Sequence, residues 1–298
     1  MSNYKNQVTL LLQVLPEVAK EKCFALHGGT AINLFIRDMP RLSVDIDLTY
    51  IPIEDRTVSF QKIVAALDNI KMNLDRIFPK AVITLKEKLL KLQVTTAKAQ
   101  IKLEVSQINR GILDEPVDLP LCIKAQEEFD AFCTISVVSI GQLYGGKICA
   151  ALDRQHPRDL FDIKSLLKNE GFTNDIKKGF MLFLLSSKRP LNEMLQPNLT
   201  DQQEAMANQF DSMSSEPFTY EDFEKTREAL IHTIRQNLIA EDKEFLLSFS
   251  NLTPNWSIYD FEKFPAVQWK LQNLTKLKTN NLEKYNTFHA ALKKLLEE

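Results

Sequence analysis

Asp45 and Asp47 stand one residue apart in the run Leu42-Ser-Val-Asp-Ile-Asp-Leu48, where Leu42, Val44, Ile46 and Leu48 alternate with Ser43, Asp45 and Asp47. Strict alternation predicts a half-buried strand, with both carboxylates on its open face and their Cβ atoms roughly 6–7 Å apart. Hard oxygen ligands so placed suit Mg²⁺ or Mn²⁺. Two such ions about 3.5–4 Å apart let one activate a hydroxyl while the other steadies a leaving pyrophosphate. Upstream, Gly28-Gly29-Thr30 precedes a helical pattern running to Phe35. A double glycine ahead of a helix brings backbone N–H groups close to phosphate at the positive end of the helix dipole. The competing reading is an acidic surface strand after an ordinary turn. Glu104, in Ile101-Lys-Leu-Glu-Val105, alternates onto the polar face of another strand and is a candidate third metal ligand. Taken alone it reads equally as a solvated strand residue.

A third cluster lies in Tyr144-Gly-Gly-Lys147 through Arg154, Arg158, Asp159 and Asp162. On a helix over 140–153, Lys147 and Arg154 are seven residues apart and share a face, a cationic strip suited to a triphosphate. Salt bridges between two packed helices are the alternative. Gly141-Gln-Leu-Tyr-Gly-Gly146-Lys147 also fits GxxxxGK, but Ile148 stands where a P-loop needs the Mg²⁺-binding Ser or Thr, and the capping pattern Ser139/Gln142 puts these glycines inside a helix. His27, His156, His232 and His289 are too dispersed to suggest a metal pair, although His27 borders the Gly-Gly turn. Residues 62–102 hold nine Lys or Arg against three acids, a local track for a phosphate backbone or a solvated face.

The elements that must position these groups follow from periodicity. Val8, Leu11, Leu12, Leu15 and Val18 predict a helix over about 5–21, better read as an amphipathic helix than as a signal peptide, and a second helix is expected over about 57–77. Residues 81–85, 89–95 and 100–106 read as successive strands of an antiparallel sheet. From Ser139 onward the pattern is helical, with Gly171 at a helix end and Trp256 and Trp269 as core anchors. The expectation is an α+β, bilobed chain: a mixed lobe over 1–135 and an all-helical lobe over 136–298. With 298 residues, 44% of them hydrophobic, there is ample material for a core, and a net charge of -2 confines any basic surface to a local patch. Cys23, Cys122, Cys133 and Cys149 form no CxxC pair and read as reduced thiols of a cytoplasmic protein. The longest apolar run, 180–185, is far shorter than the ~20 residues of a membrane span.

The elements HGGTAINLF, RLSVDIDL, IKLEV and GGKICAALDRQHPRDLFDI, with LTPNW after the helical TREALIHTIRQNL, resemble the AbiEii/AbiGii toxin group of the nucleotidyltransferase superfamily, known from abortive-infection and type IV toxin–antitoxin systems. The resemblance spans nearly the whole chain. It implies a nucleotidyltransferase β-sheet in the first lobe, a helical second lobe, NTP and Mg²⁺ (or Mn²⁺) as requirements, and a cognate antitoxin partner. It further implies transfer of NMP to an RNA 3′ hydroxyl, the tRNA acceptor end, blocking translation. Carried over by position, Asp45, Asp47, Lys147 and Asp162 are the catalytic set, with Asp159 competing with Asp162. Gly28, Gly29, Thr30, Ser43, Lys147 and Arg154 meet the nucleotide, and Asp45, Asp47 and Glu104 hold metal. Glu104 stands where an Asp is common. The alternatives are the same fold modifying a protein hydroxyl or small metabolite, and a non-catalytic nucleotide- or partner-binding module.

Overall fold

The computed structural model describes residues 2–297, and the chain divides into two compact units. The first comprises Met1–Ser139 and Ala207–Pro217, the second Ile140–Met206 and Phe218–Glu298. This differs from a single boundary at 135 for a physical reason. A strand over Thr134–Val137 hydrogen-bonds into the sheet of the first unit, and residues 207–217 return to that unit after leaving it.

Unit one runs α1 (Ser2–Val18), β1 (Phe24–His27), α2 (Gly28–Ala31, continued by a π-helical turn Ile32–Ile36), β2 (Asp45–Tyr50), α3 (Arg56–Ile77), β3 (Val82–Lys86), β4 (Lys91–Thr95), β5 (Gln100–Val105), β6 (Val117–Pro120), α4 (Ile123–Phe129) and β7 (Thr134–Val137). The seven strands form one sheet in the order β3-β4-β5-β2-β1-β7-β6. It is a mixed sheet: β3, β4 and β5 are antiparallel as their sequence predicts, β2 pairs in parallel with β5 and β1 with β7, and the other neighbours are antiparallel. The alternation that marks each strand sorts its residues between two faces. Ile46, Leu48, Ile83, Leu92, Val94, Ile101 and Leu103 are buried on one of them. The apolar stripes of α1 (Val8, Leu11, Leu12, Leu15, Val18) and α3 (Ile63, Leu67, Ile70, Leu74) bury with that face. Each such side chain contributes roughly 1.5–3 kcal/mol when removed from water. Asp55 starts α3 by accepting a hydrogen bond from the Thr57 amide at 2.8 Å. The other face of β2–β5–β4–β3 stays polar and carries Asp45 and Asp47.

Unit two is helical, as its periodicity predicts: α5 (Ile140–Arg154), α6 (Pro157–Asn169), α7 (Asn174–Leu184), α8 (Leu191–Leu195), α9 (Gln203–Gln209, whose last residues belong to unit one), α10 (Tyr220–Asn237), α11 (Ala240–Ser250), α12 (Pro265–Asn280) and α13 (Leu282–Glu297). The glycines of the GxxxxGK run lie within α5. A Cβ on Gly141 would sit 2.5 Å from the Asp175 carbonyl oxygen, and one on Gly145 or Gly179 would overlap the facing helix backbone. These glycines let α5 and α7 touch main chain to main chain, which is a packing role and not a phosphate cradle. Trp256 packs against Phe245 and Phe249 with ring centroids 5.9 and 6.4 Å apart. Trp269 departs from the expectation of a core anchor: it is 51% exposed on α12, with the Lys276 ammonium 5.8 Å from its ring. All four cysteines are free thiols, and burial pushes Cys23 and Cys133 up to about 11, away from nucleophilic reactivity. Among the described residues no helix is long and apolar enough to cross a membrane.

Candidate active site

β1 delivers the chain to Gly28, whose φ of +75° lies in the left-handed region that suits glycine. A Cβ there would stand 2.5 Å from Asp47 Oδ2, so the missing side chain is what lets the turn abut the carboxylate. A Cβ on Gly29 would lie 2.9 Å from Arg41 Nη2 and 3.1 Å from Ser43 Oγ. Thr30 ties the same turn to the approach of β2, its hydroxyl donating to the Asp45 carbonyl at 2.5 Å and lying 3.0 Å from Ser43 Oγ, whose own hydroxyl can donate back to it. Asn33 Nδ2 donates to the Gly29 carbonyl at 2.9 Å and holds the turn from the helix side. Gly28, Gly29, Thr30, Ser43, Asp45 and Asp47 therefore form one constellation in unit one.

Two members differ from their expected settings. Ser43 is buried, because residues 42–44 precede the regular strand and Ser43 turns under the Gly29–Thr30 turn instead of onto the open face. Arg41, which alternation alone did not single out, is only 3% exposed and donates to the Leu42 carbonyl at 3.0 Å. Its signal was present in the spacing, two residues before Ser43 and four before Asp45. Arg41 and Lys124 also line a cavity of about 170 Å³ together with Met39, Ser214 and Ser215.

The sheet register sets the rest. Asp47 pairs with His27 on β1 and with Glu104 on β5, while Asp45 pairs with Lys102. Glu104 is thus the in-register neighbour of Asp47, yet its carboxylate is ion-paired with Lys91 of β4. Among the described residues no three His, Cys, Asp or Glu side chains converge into a ready-made metal cage. The donor pair whose chemistry fits a hard divalent cation is Asp45 with Asp47, while Glu104, in register with Asp47, is held by Lys91.

In unit two, Lys147, Arg154, Asp159 and Asp162 meet around the α5–α6 junction. Lys147, 6% exposed, places its ammonium 2.9 Å from Asp159 Oδ1 and 3.0 Å from Asp162 Oδ2, and both aspartates are fully buried. Arg154 reaches Asp159 from outside, with Nε 2.5 Å from Oδ2 and Nη2 2.9 Å from Oδ1, while its side chain stays 61% exposed. Burial works to raise the Asp159 pKa. The Lys147 and Arg154 charges beside it outweigh burial and hold it below the ordinary carboxylate value. Both aspartates are therefore built into the cluster, and of its two cations Arg154 is the one that faces solvent. His156, unremarkable in sequence, caps α6 by accepting from the Arg158 amide at 3.1 Å.

The fold is similar to that of MenT4, a nucleotidyltransferase toxin from Mycobacterium tuberculosis H37Rv, with a TM-score of 0.63 at 11% sequence identity over 91% of this chain and 93% of that one. No curated protein matches the sequence. The family described as Nucleotidyl transferase AbiEii toxin, Type IV TA system, matches residues 9–273, a span that holds the glycine turn, both strand carboxylates and the Lys147 cluster, and the chain belongs to that family.

Proposed function

We propose that this nucleotidyltransferase toxin transfers NMP from an NTP to the 3′ hydroxyl of an RNA, the tRNA acceptor end, and so blocks translation. The observation that carries the reading is the abutment of the Gly28–Gly29 turn on Asp47, beside Asp45 and in register with Glu104. The two glycine amides open α2, where main-chain N–H groups lack intrahelical acceptors, and they suit the triphosphate. Asp45 and Asp47 would hold Mg²⁺ or Mn²⁺, which supplies positive charge to the reacting hydroxyl and to the phosphates. Thr30 and Ser43 keep the turn seated against β2. Glu104, released from Lys91, completes the carboxylate set or takes the proton of the incoming hydroxyl. Within the second unit, Arg154 is the solvent-facing cation and suits a phosphate by its charge, while Asp159, itself held by Lys147, fixes its position. A cognate antitoxin is the partner implied by membership of a type IV system.

Incubation with total RNA, Mg²⁺ and each α-labelled NTP in turn tests this. Label is expected in the tRNA band, at the 3′ end, lost with EDTA and absent from the Asp45→Asn protein. Label on protein or on a small molecule alone would move the reading to another acceptor. Tight NTP binding with no turnover on any acceptor would favour a binding module.

A further inference from the structure

The Lys-rich stretch 62–102 is divided by the fold between two sides of the sheet. Lys62 and Lys71 lie on α3, which packs on the apolar face, and each is ion-paired, with Glu54 and Asp75 respectively. Lys86, Lys91 and Lys102 lie on the polar face, in register with the carboxylates. One row crosses the sheet as Lys86–Lys91–Glu104–Asp47–His27, and the next as Thr84–Gln93–Lys102–Asp45. On this face β3, β4 and β5 present Val82, Thr84, Lys86, Lys91, Gln93, Thr95, Gln100, Lys102 and Glu104, so Glu104 is their one acid and Lys91 neutralises it. Lys86 and Lys102 are exposed and make no ion pair among the described residues. At about 4.8 Å between strands, Lys86 stands three spacings, roughly 14 Å, from Asp47.

We propose that the polar face of β3–β4–β5 is the track for the acceptor strand: a single-stranded RNA end whose backbone phosphates meet Lys86 and Lys102, while Gln93 and Thr84 offer neutral hydrogen bonds between them. This rests on the reading that RNA is the acceptor. Charge complementarity selects the occupant. An open face with two unpaired cations and flanking amide and hydroxyl groups suits a polyanion that arrives extended, and the rows end at the carboxylates where its 3′ hydroxyl would react. Contacts of this kind are made to phosphate, so they are independent of base sequence and sensitive to salt.

The test compares the parent, Lys86→Gln/Lys102→Gln and, as control, Lys62→Gln/Lys71→Gln. Each protein's affinity for a labelled single-stranded RNA with a free 3′ hydroxyl is measured by anisotropy between 50 and 200 mM salt, and its NTP affinity by calorimetry. Loss of two phosphate contacts should flatten the log affinity against log salt slope by about 1.4, at ~0.7 per contact for a single strand. NTP affinity should stay within about twofold, and the control should match the parent. An unchanged slope in a parent that labels RNA overturns the track and leaves the RNA acceptor standing. Loss of NTP affinity in step with RNA affinity assigns the face to the nucleotide and also overturns it. A parent that neither binds nor labels RNA removes the acceptor reading and the track with it.

Discussion

Asp45 shares a strand face with Asp47, and like charges repel while no cation lies between them, so the Asp45 charge does not serve the stability of the metal-free fold. Asp45→Asn is therefore expected to abolish transfer, with a melting temperature equal to or above the parent's in differential scanning calorimetry without metal. A variant that melts well below the parent would make Asp45 a structural residue. The Lys147 cluster has the opposite character. Removing one partner of a buried ion pair typically costs about 3–5 kcal/mol, and Lys147→Met leaves two buried carboxylates facing each other. Urea denaturation should register a loss of that order, in addition to any loss of activity. Because the folded-state pKa of Asp159 is depressed, its stabilising contribution is fully present above the unfolded value of about 3.9. The contribution is lost as pH falls below that value, so the acid limb of the parent's stability curve should be steeper than that of Asp159→Asn. Sequence spacing alone brought out the paired aspartates, because a two-residue period fixes a shared strand face without reference to anything distant. It could not show that Lys91 takes Glu104 or that two aspartates bracket Lys147, since those pairings depend on strand register and helix packing.

The same contrast holds for the elements. The helices α1 and α3 and the strands β3, β4 and β5 were legible within a few residues from their periods. β6 and β7 were not, because each has only four residues and is defined by pairing: β6 with β7 along its whole length, and β7 also with β1, more than a hundred residues away. A parallel pairing such as β2 with β5 is likewise invisible to local pattern. The glycines of α5 were read as helical from the capping pattern, but their purpose needed α7: they remove side chains from a crossing that has no room for them. Gly179→Ala should therefore cost about 1–3 kcal/mol or more, by overpacking against Gly141, and a thermal melt would read the loss. Gly28→Ala combines an unfavourable φ, worth about 1–2 kcal/mol, with a Cβ driven into Asp47. It should lower both the melting temperature and kcat, whereas Gly171→Ala, where φ is +72° but a Cβ meets nothing within 4 Å, should affect stability alone.

For the whole molecule, the feature least accessible to sequence reading is the return of residues 207–217 to unit one. Leu42 N–H donates to the Met213 carbonyl at 2.8 Å and Ser215 N–H to the Pro40 carbonyl at 3.1 Å, while Arg41 and Ser214 form an isolated antiparallel bridge. Lys124 reinforces this by donating to Ser215 Oγ at 3.3 Å and to the Met39 carbonyl at 3.3 Å. The segment clasps the stretch that leads into Ser43, Asp45 and Asp47. A fragment of residues 1–139 should show rapid amide exchange over 40–44, with protection restored when a 207–217 peptide is supplied, and unchanged exchange would make the clasp dispensable. The clasp also bears on how the protein is born. Pro40 to Asp47 leave the ribosome early, but their partners Met213 and Ser215 follow only after more than 160 further residues, roughly 10–30 s later at ~5–20 residues per second. Throughout that interval the nascent chain has Asp45 and Asp47 without their finished scaffold, so a chain interrupted before residue 213 is expected to be released without transfer activity.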